Sequence, residues 1–158
     1  MTESDFISRC QAVRSRLYRT AYLYLDGEHA AVDAVDEAVF RAFRNLKKLR
    51  QEEFFETWLT RILINVCKDE LRRRGREICV DTPPEPPQEQ LDALPLRQAV
   101  AALPEPLHAV IILRYFTGLT LEETAAALNI PRGTVSTRQK RALELLKLDL
   151  TGQQEVGT

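Results

Sequence analysis

Five prolines fall within fifteen residues in the stretch DTPPEPPQEQLDALP at 81–95. Proline has no amide donor, and its ring biases the preceding residue away from the helical region. A run of this kind suits neither helix nor sheet, so no core can be built across it. The apolar residues on its two sides must be buried in two separate places. The same stretch carries four acids and no base. It is read as an extended acidic Pro-rich linker over 77–95. On either side stand domains at 1–76 and 96–150, with a tail at 151–158.

Charge is divided in the same way. The formal net charge of −1 gives no bulk push toward nucleic acid. Residues 1–80 carry 15 Lys/Arg and 13 Asp/Glu, a net of +2, and residues 96–158 carry 7 and 6, a net of +1. The acidic middle hides two slightly basic lobes, and local patches matter more than the total.

Several function classes are disfavoured early. No run approaches the roughly 18 apolar residues of a membrane span, so no membrane insertion is expected. The opening MTESDFISRC lacks the basic-then-apolar signal pattern, and a soluble cytoplasmic protein is expected. Cys10, Cys67 and Cys79 are widely spaced and odd in number, and they read as reduced structural thiols. There is no Gly-rich phosphate loop. Neither His29 nor His108 has another donor at ligand spacing, and no Ser/Cys/His arrangement occurs. Neither an enzyme nor a metal or other cofactor is expected.

Apolar residues recur at three or four positions, the helical period. Phe6, Cys10, Val13, Leu17 and Ala21 define a first helix, which Gly27 suits as an end. Val32, Val35, Val39, Ala42 and Leu46 define a second. Phe55, Leu59, Ile62 and Val66 define a third, ending near Gly75. Short helices follow at Leu96–Leu103 and Leu107–Phe116, the latter stopping at Gly118. Thr120 and Glu123 fit a capping box, and the helix they open ends near Asn129. Pro131 opens the last helix, where its missing donor costs nothing. No segment alternates as a strand. The chain reads as all-α, with two small helical domains.

The last two helices form the most informative motif, a helix-turn-helix. Leu121, Ala125 and Leu128 face inward on the first helix, and Val135, Ala142 and Leu146 line one side of the second. Thr137, Lys140 and Arg141 lie opposite that stripe, flanked by Gly133 and Ser136. Short hydroxyls suit base edges or phosphates, and cations suit guanine or phosphates. Gly133 allows a backbone to approach, and the free amides of a first turn suit a phosphate. The candidate duplex-reading set is Arg132, Gly133, Thr134, Ser136, Thr137, Arg138, Lys140 and Arg141. The plain alternative is a solvated helix face.

A second cluster closes the third helix. Lys68, Arg72, Arg73, Arg74 and Arg76 stand within nine residues. The helix dipole favours cations there, but five exceed what capping needs, which points to phosphate. One turn earlier stand Trp58, Arg61 and Asn65. Trp58 is either core or a stacking platform. Asn65 offers donors and an acceptor to a base edge, and aromatics beside basic and amide groups suit single strands. On the second helix, acids at Asp33, Asp36 and Glu37 precede bases at Arg41, Arg44, Lys47 and Lys48. That order either matches the helix dipole or makes a docking face for a protein.

In this order and size, the stretches resemble bacterial RNA polymerase sigma factors of the extracytoplasmic function type, within the sigma-70 family. The resemblance covers about residues 6–150 and rests on FETWLTRILINVCKDELRRRGR and LPEPLHAVIILRYFTGLTLEETAAALNIPRGTVSTRQKRALELL. It implies a sigma-2-like domain, a linker and a sigma-4-like domain. It implies binding to core RNA polymerase, recognition of promoter −10 and −35 elements, and strand opening. The helix at 32–49 would dock on the polymerase clamp helices through Asp33, Asp36, Glu37, Phe40 and Arg41; many members have Gln where Asp36 stands. Arg61 and Asn65 match positions at the −10 element, Asn65 near a flipped base of the melted strand, while Arg61 suits phosphate equally. Helix 132–147 would read the −35 duplex. Many members have a basic residue where Ser136 stands, which implies a different −35 preference. Segment 104–116 would lie against the polymerase flap. The resemblance also implies an anti-sigma factor as partner. Residues alone leave two rivals: a stand-alone helix-turn-helix regulator, and a protein-interaction bundle without salt-dependent DNA affinity.

Overall fold

The computed structural model describes the backbone of residues 1–76 and 94–156, and the side chains of 1–75 and 96–147. Residues 77–93 of the expected 77–95 linker, Cys79 among them, lie outside the described residues. Every regular element among the described residues is helical, so the expected all-α class holds. The described residues fold as two compact units, one built on α1 to α3 and the other on α4, α5, the start of α6, and α7.

In the first unit, α1 spans Glu3–Leu25, α2 spans Glu28–Arg44 and α3 spans Phe55–Arg76. A reciprocal capping box starts α1. The Asp5 amide donates to Thr2 Oγ1 and the Thr2 amide to the Asp5 carboxylate, both at 3.1 Å. Those bonds hold the Asp5 carboxyl below its usual pKa range. The left-handed residue that ends α1 is Asp26 (φ 52°), not the expected Gly27. Asp tolerates that region because its short side chain bonds locally. Gly27 instead caps the start of α2 in an extended conformation open to any residue.

The core stripe of α2 keeps the expected Val35 and Ala42 but not the expected Val32. Its buried residues are Ala31, Ala34, Val35, Ala38 and Ala42, while Val32 is exposed. The periodicity of the larger valines is misleading here. The alanines form the buried side, and Val32, Phe40 and Phe43 stay outside. The helix stops at Arg44, short of the expected 49. There the Asn45 side-chain amide donates to the Arg41 carbonyl at 2.7 Å, competing with helix continuation. Two 3₁₀ turns, Leu46–Lys48 and Glu52–Phe54, lead into α3. This last helix buries Phe55, Leu59, Leu63, Ile64 and Cys67 and runs through Gly75. Phe6 joins all three helices, with its ring 5.5 Å from Phe43 and 5.8 Å from Phe55. Buried Thr20 and Thr60 donate their hydroxyls to carbonyls four residues back, so neither is left unpaired in the core.

In the second unit, α4 spans Leu94–Ala101 and α5 spans Glu105–Ile111. A π turn follows at Ile112–Phe116, then α6 at Leu121–Leu128 and α7 at Arg132–Val156. Helix α4 starts at Leu94, so Leu94 and Pro95 belong to its first turn and not to the linker. A proline is harmless there because first-turn amides have no helical acceptor. Ala99, Val100, Leu103, Ile111, Ala142 and Leu146 form a core, with Leu107, Phe116 and Leu145 packed on it. The segment expected as one helix at 107–116 opens earlier, at Glu105, and widens at Ile112. Its end is closed by the Thr117 amide on the Ile112 carbonyl at 2.9 Å and by Gly118 at φ 83°. The expected capping box is present: the Glu123 amide donates to Thr120 Oγ1 at 3.1 Å and the Thr120 amide to Glu123 at 3.0 Å. Asn129, at φ 56°, ends α6. Helix α7 starts one residue after Pro131 and continues to Val156, so most of the expected 151–158 tail is helical. No proline interrupts it, and one glycine at 152 costs only about 1 kcal/mol. No described helix is long and apolar enough to cross a membrane.

Burial pushes the Cys67 thiol up to about 12, against an opposing pull from Arg74. Reactivity needs the thiolate. At pH 8, iodoacetamide should leave Cys67 unmodified in the folded protein and label it in urea, as read by peptide mass spectrometry. Native labelling at the rate of a free thiol would contradict this packing.

Candidate nucleic-acid interface

The buried face of α3 fixes which of its polar side chains reach solvent. At about 100° per residue, Trp58, Arg61, Asn65, Lys68, Arg72 and Arg76 share an arc of about 80°. Arg61, Asn65 and Arg72 are exposed, and Trp58 and Lys68 are half-buried. Trp58 leans on the core, its ring 6.2 Å from that of Phe55. The Arg76 side chain lies outside the described residues.

Arg73 and Arg74 fall outside the arc, and local partners hold both. Arg73 grips Glu70 with two bonds, Nε to Oε2 at 3.0 Å and Nη2 to Oε1 at 2.6 Å. Arg74 reaches Glu70 at 3.3 Å, and its Nη1 donates to the Leu25 carbonyl at 2.7 Å. The grip of Arg73, followed by burial opposing it, leaves the Glu70 carboxyl below its usual pKa range. Of the five cations expected to present themselves to phosphate, these two are engaged by partners within the unit. Arg74 satisfies the orphan carbonyls at the end of α1, and Glu70 neutralises Arg73. Glu70 and Asp69 are the residues that sequence reasoning missed. Glu70 carries a usable signal, an acid three and four residues before a base. The Leu25 carbonyl, 49 residues from Arg74, carries none.

The outward face of α2 presents Asp33, Asp36, Glu37 and Phe40, all exposed, with Phe40 at 54%. The Arg44 guanidinium lies 5.3 Å from the Phe40 ring centre. Arg14 holds Asp36 at 2.7 Å. Arg41 is pinned by Glu37 at 2.9 Å and by Asp69 of α3 at 3.4 Å. Those two acids raise its pKa further, Glu37 first. Between α2 and α3 lies an open cleft of about 750 Å³ lined by Asp33, Glu37, Arg41, Asp69, Glu70 and Arg73.

On α7 the expected inward residues Val135, Ala142 and Leu146 are buried, and Gly133, Ser136, Thr137, Lys140 and Arg141 are exposed. Thr134 and Arg138 flank that face, half-buried. A methyl at Gly133 would meet nothing within 4 Å, so its backbone is open to close approach. The Thr137 hydroxyl donates back to the Gly133 carbonyl at 3.0 Å. It is left with lone pairs and a methyl to offer a base. Arg132 pairs with Glu122 of α6 at 3.2 Å, and Arg141 with Glu144 at 3.7 Å. Both pairs are exposed and contribute little, so either cation is free to exchange its partner for a phosphate. Two further residues were missed, Arg114 and Gln139, joined by a 2.8 Å hydrogen bond.

Comparison with known proteins agrees with this division. Residues 10–77 match the family described as Sigma-70 region 2, and residues 99–148 match Sigma-70, region 4. The RNA polymerase sigma factor SigV of Bacillus subtilis (strain 168) is 30% identical over 139 residues, 85% of this chain and 84% of that one. The chain belongs to the sigma-70 family, in its extracytoplasmic function (ECF) class. The ECF RNA polymerase sigma factor SigW of the same organism is also 30% identical, over 157 residues, 87% of this chain and 84% of that one. A solved structure of the sigma factor RpoE with the anti-sigma factor NepR, from Bartonella quintana, superposes with a TM-score of 0.79. It is 25% identical and covers 93% of this chain and 97% of that chain. The function of this ECF sigma factor is transcription initiation, in which sigma factors act by binding.

The two arginines outside the α3 arc differ in what they hold. Arg74→Ala removes a charged donor from a helix-end carbonyl and should lower unfolding stability by about 1–2 kcal/mol. Arg73→Ala breaks a more exposed pair and should cost about 0.5 kcal/mol or less. Urea denaturation of both variants checks this, and equal losses would contradict it.

Proposed function

We propose that this sigma factor binds core RNA polymerase through the exposed face of α2, at Asp33, Asp36, Glu37, Phe40 and Arg41. In that complex Arg61 and Asn65 meet the opened −10 strand, and Lys68, Arg72 and Arg76 follow its phosphates. The first two turns of α7 read the −35 duplex. Thr137 and Lys140 approach bases, and Arg132, Arg138 and Arg141 approach phosphates. The π turn and α5 face the polymerase flap. The segment at 77–93 joins the two readers, and its acidity suits a nucleic-acid-like passage past polymerase.

One observation carries this reading. An exposed arc on α3 combines the Asn65 amide with the cations Arg61, Lys68 and Arg72 beside an aromatic; among the described residues only Arg72 has an acid near it, the exposed Asp69 at 3.6 Å, a pair weak enough to be exchanged for a phosphate. A stand-alone helix-turn-helix regulator needs only α6 and α7 and gives no reason for such an arc. Extruding a base costs a few kcal/mol, which contacts to the exposed base offset. The work is done by binding energy, with no bond made or broken by this chain, and it takes place where bacterial polymerase works, in the cytoplasm. The RpoE relative was solved with an anti-sigma factor, and we assign this chain a partner of that kind.

The two readers are separable. Lys140→Ala should weaken holoenzyme binding to promoters through the −35 duplex, by about tenfold for one lost base or phosphate contact. Asn65→Ala should leave that duplex contact intact and reduce promoter opening, read as permanganate reactivity at −10. A template already melted at −10 should restore only the part due to strand separation. Normal opening by Asn65→Ala would make Asn65 a solvated amide and overturn the α3 assignment.

A further inference from the structure

We propose that Arg114 and Gln139 form a positioning pair that sets the roll of the reading helix α7, and so determines −35 specificity without touching DNA. The proposal rests on the reading of α7 given above. Arg114 stands on the π turn and is half-buried. Its Nε donates to Gln139 Oε1 at 2.8 Å, and its Nη1 donates to the Leu119 carbonyl at 2.6 Å. Leu119 immediately precedes Thr120, the cap of α6. A single guanidinium therefore holds the entry to α6 and the flank of α7 together.

The pair supplies what apolar packing here lacks. Helix α7 is seated by Val135, Ala142 and Leu146, and contacts of this kind are non-directional. The Ala142 methyl in particular offers little to oppose a roll. A planar guanidinium has its donors in a fixed fork, so two good bonds fix an angle as well as a distance. Gln139 lies about 160° round the helix from Thr137 and next in sequence to Lys140. A helix with its side chains has a radius of about 5–6 Å, so a roll of about 20° moves the reading groups by about 2 Å. Base-edge hydrogen bonds do not survive a shift of that size.

The chemistry also argues against a plain ion-pair role. Both acceptors are neutral, and Arg114 has no carboxylate partner among the described residues. Its guanidinium is committed through Nε and Nη1 inside the unit, which leaves Gln139 as the element a sequence change can vary. Gln139→Glu keeps an acceptor in place and adds charge assistance, whereas Gln139→Leu removes the acceptor at similar volume.

The test uses holoenzyme made with the full chain on promoters randomised across the −35 element, with bound and unbound pools sequenced at several salt concentrations. Gln139→Leu should flatten the −35 preference by about tenfold, with the salt slope unchanged and the variant still folding cooperatively. Gln139→Glu should retain the parent ranking of sequences even if total binding falls. Arg114→Met should flatten the preference like Gln139→Leu, and the double variant should be no worse than either single one. A retained ranking in folded Gln139→Leu would overturn the proposal. So would a salt slope lowered by about 1 in Arg114→Met, which would mark Arg114 as a phosphate contact. Lys140→Ala serves as the control. If it and Thr137→Ala both leave the ranking intact, α7 is not the reader and the pair has nothing to position. If either alters the ranking while Gln139→Leu does not, only the pair is refuted.

Discussion

Everything the first unit offers to a partner depends on how α3 is seated. Leu59, Leu63, Ile64 and Cys67 are buried to the last few per cent, and the 3.6-residue period then leaves no freedom in what faces out. The side of α3 carrying Arg61, Asn65 and Arg72 is rigid because the other side is packed against α1 and α2. Large-to-small changes in such a stripe cost about 2–5 kcal/mol, so this exposed face is held far more firmly than its own residues could hold it. Glu70 and the Leu25 carbonyl then sort the cations. Arg73 and Arg74 are held by Glu70 and the Leu25 carbonyl, Arg72 lies 3.6 Å from Asp69, and Arg61 stays exposed.

The second unit solves the same problem differently. Its α7 has a buried stripe in which Ala142 is small, and the cap of α6 and the flank of α7 are tied by one arginine. Non-directional burial supplies the association and directional hydrogen bonds supply the angle. In the first unit the ring contacts of Phe6 with Phe43 and Phe55 supply shape by bulk, and α2 approaches through alanines. The exposed face of α2 is a consequence of that choice. Once the alanines take the inside, Phe40 is left outside with Arg44 against its ring.

Much of this was legible from periodicity and capping. The stripes Phe6–Ala21 and Val135–Leu146, the Thr120–Glu123 box and the outward set on α7 all stand where their spacing put them. These are local signals, decided within one or two turns. The misreadings share the opposite character. Val32 was taken as core because β-branched residues look more apolar than alanines, and only the neighbouring helices decide which side of α2 is inside. Gly27 suits the end of α1 by glycine's average preference for left-handed backbone, yet Asp26 takes that position. Arg74 was counted with its neighbours because the carbonyl it holds comes from another helix. The Arg114–Gln139 bond was invisible for the same reason, and the widened turn at Ile112 has no composition signal at all.

The central claim is that this chain directs polymerase to promoters by two readers acting together. The most direct measurement is transcription with purified core RNA polymerase on a pool of random upstream sequences, followed by sequencing of the transcript starts. The account predicts starts that require this protein and that share two short elements at a fixed separation, near −10 and −35. Starts sharing only one upstream element, with no requirement at −10, or binding to duplex without any polymerase-dependent start, would contradict it.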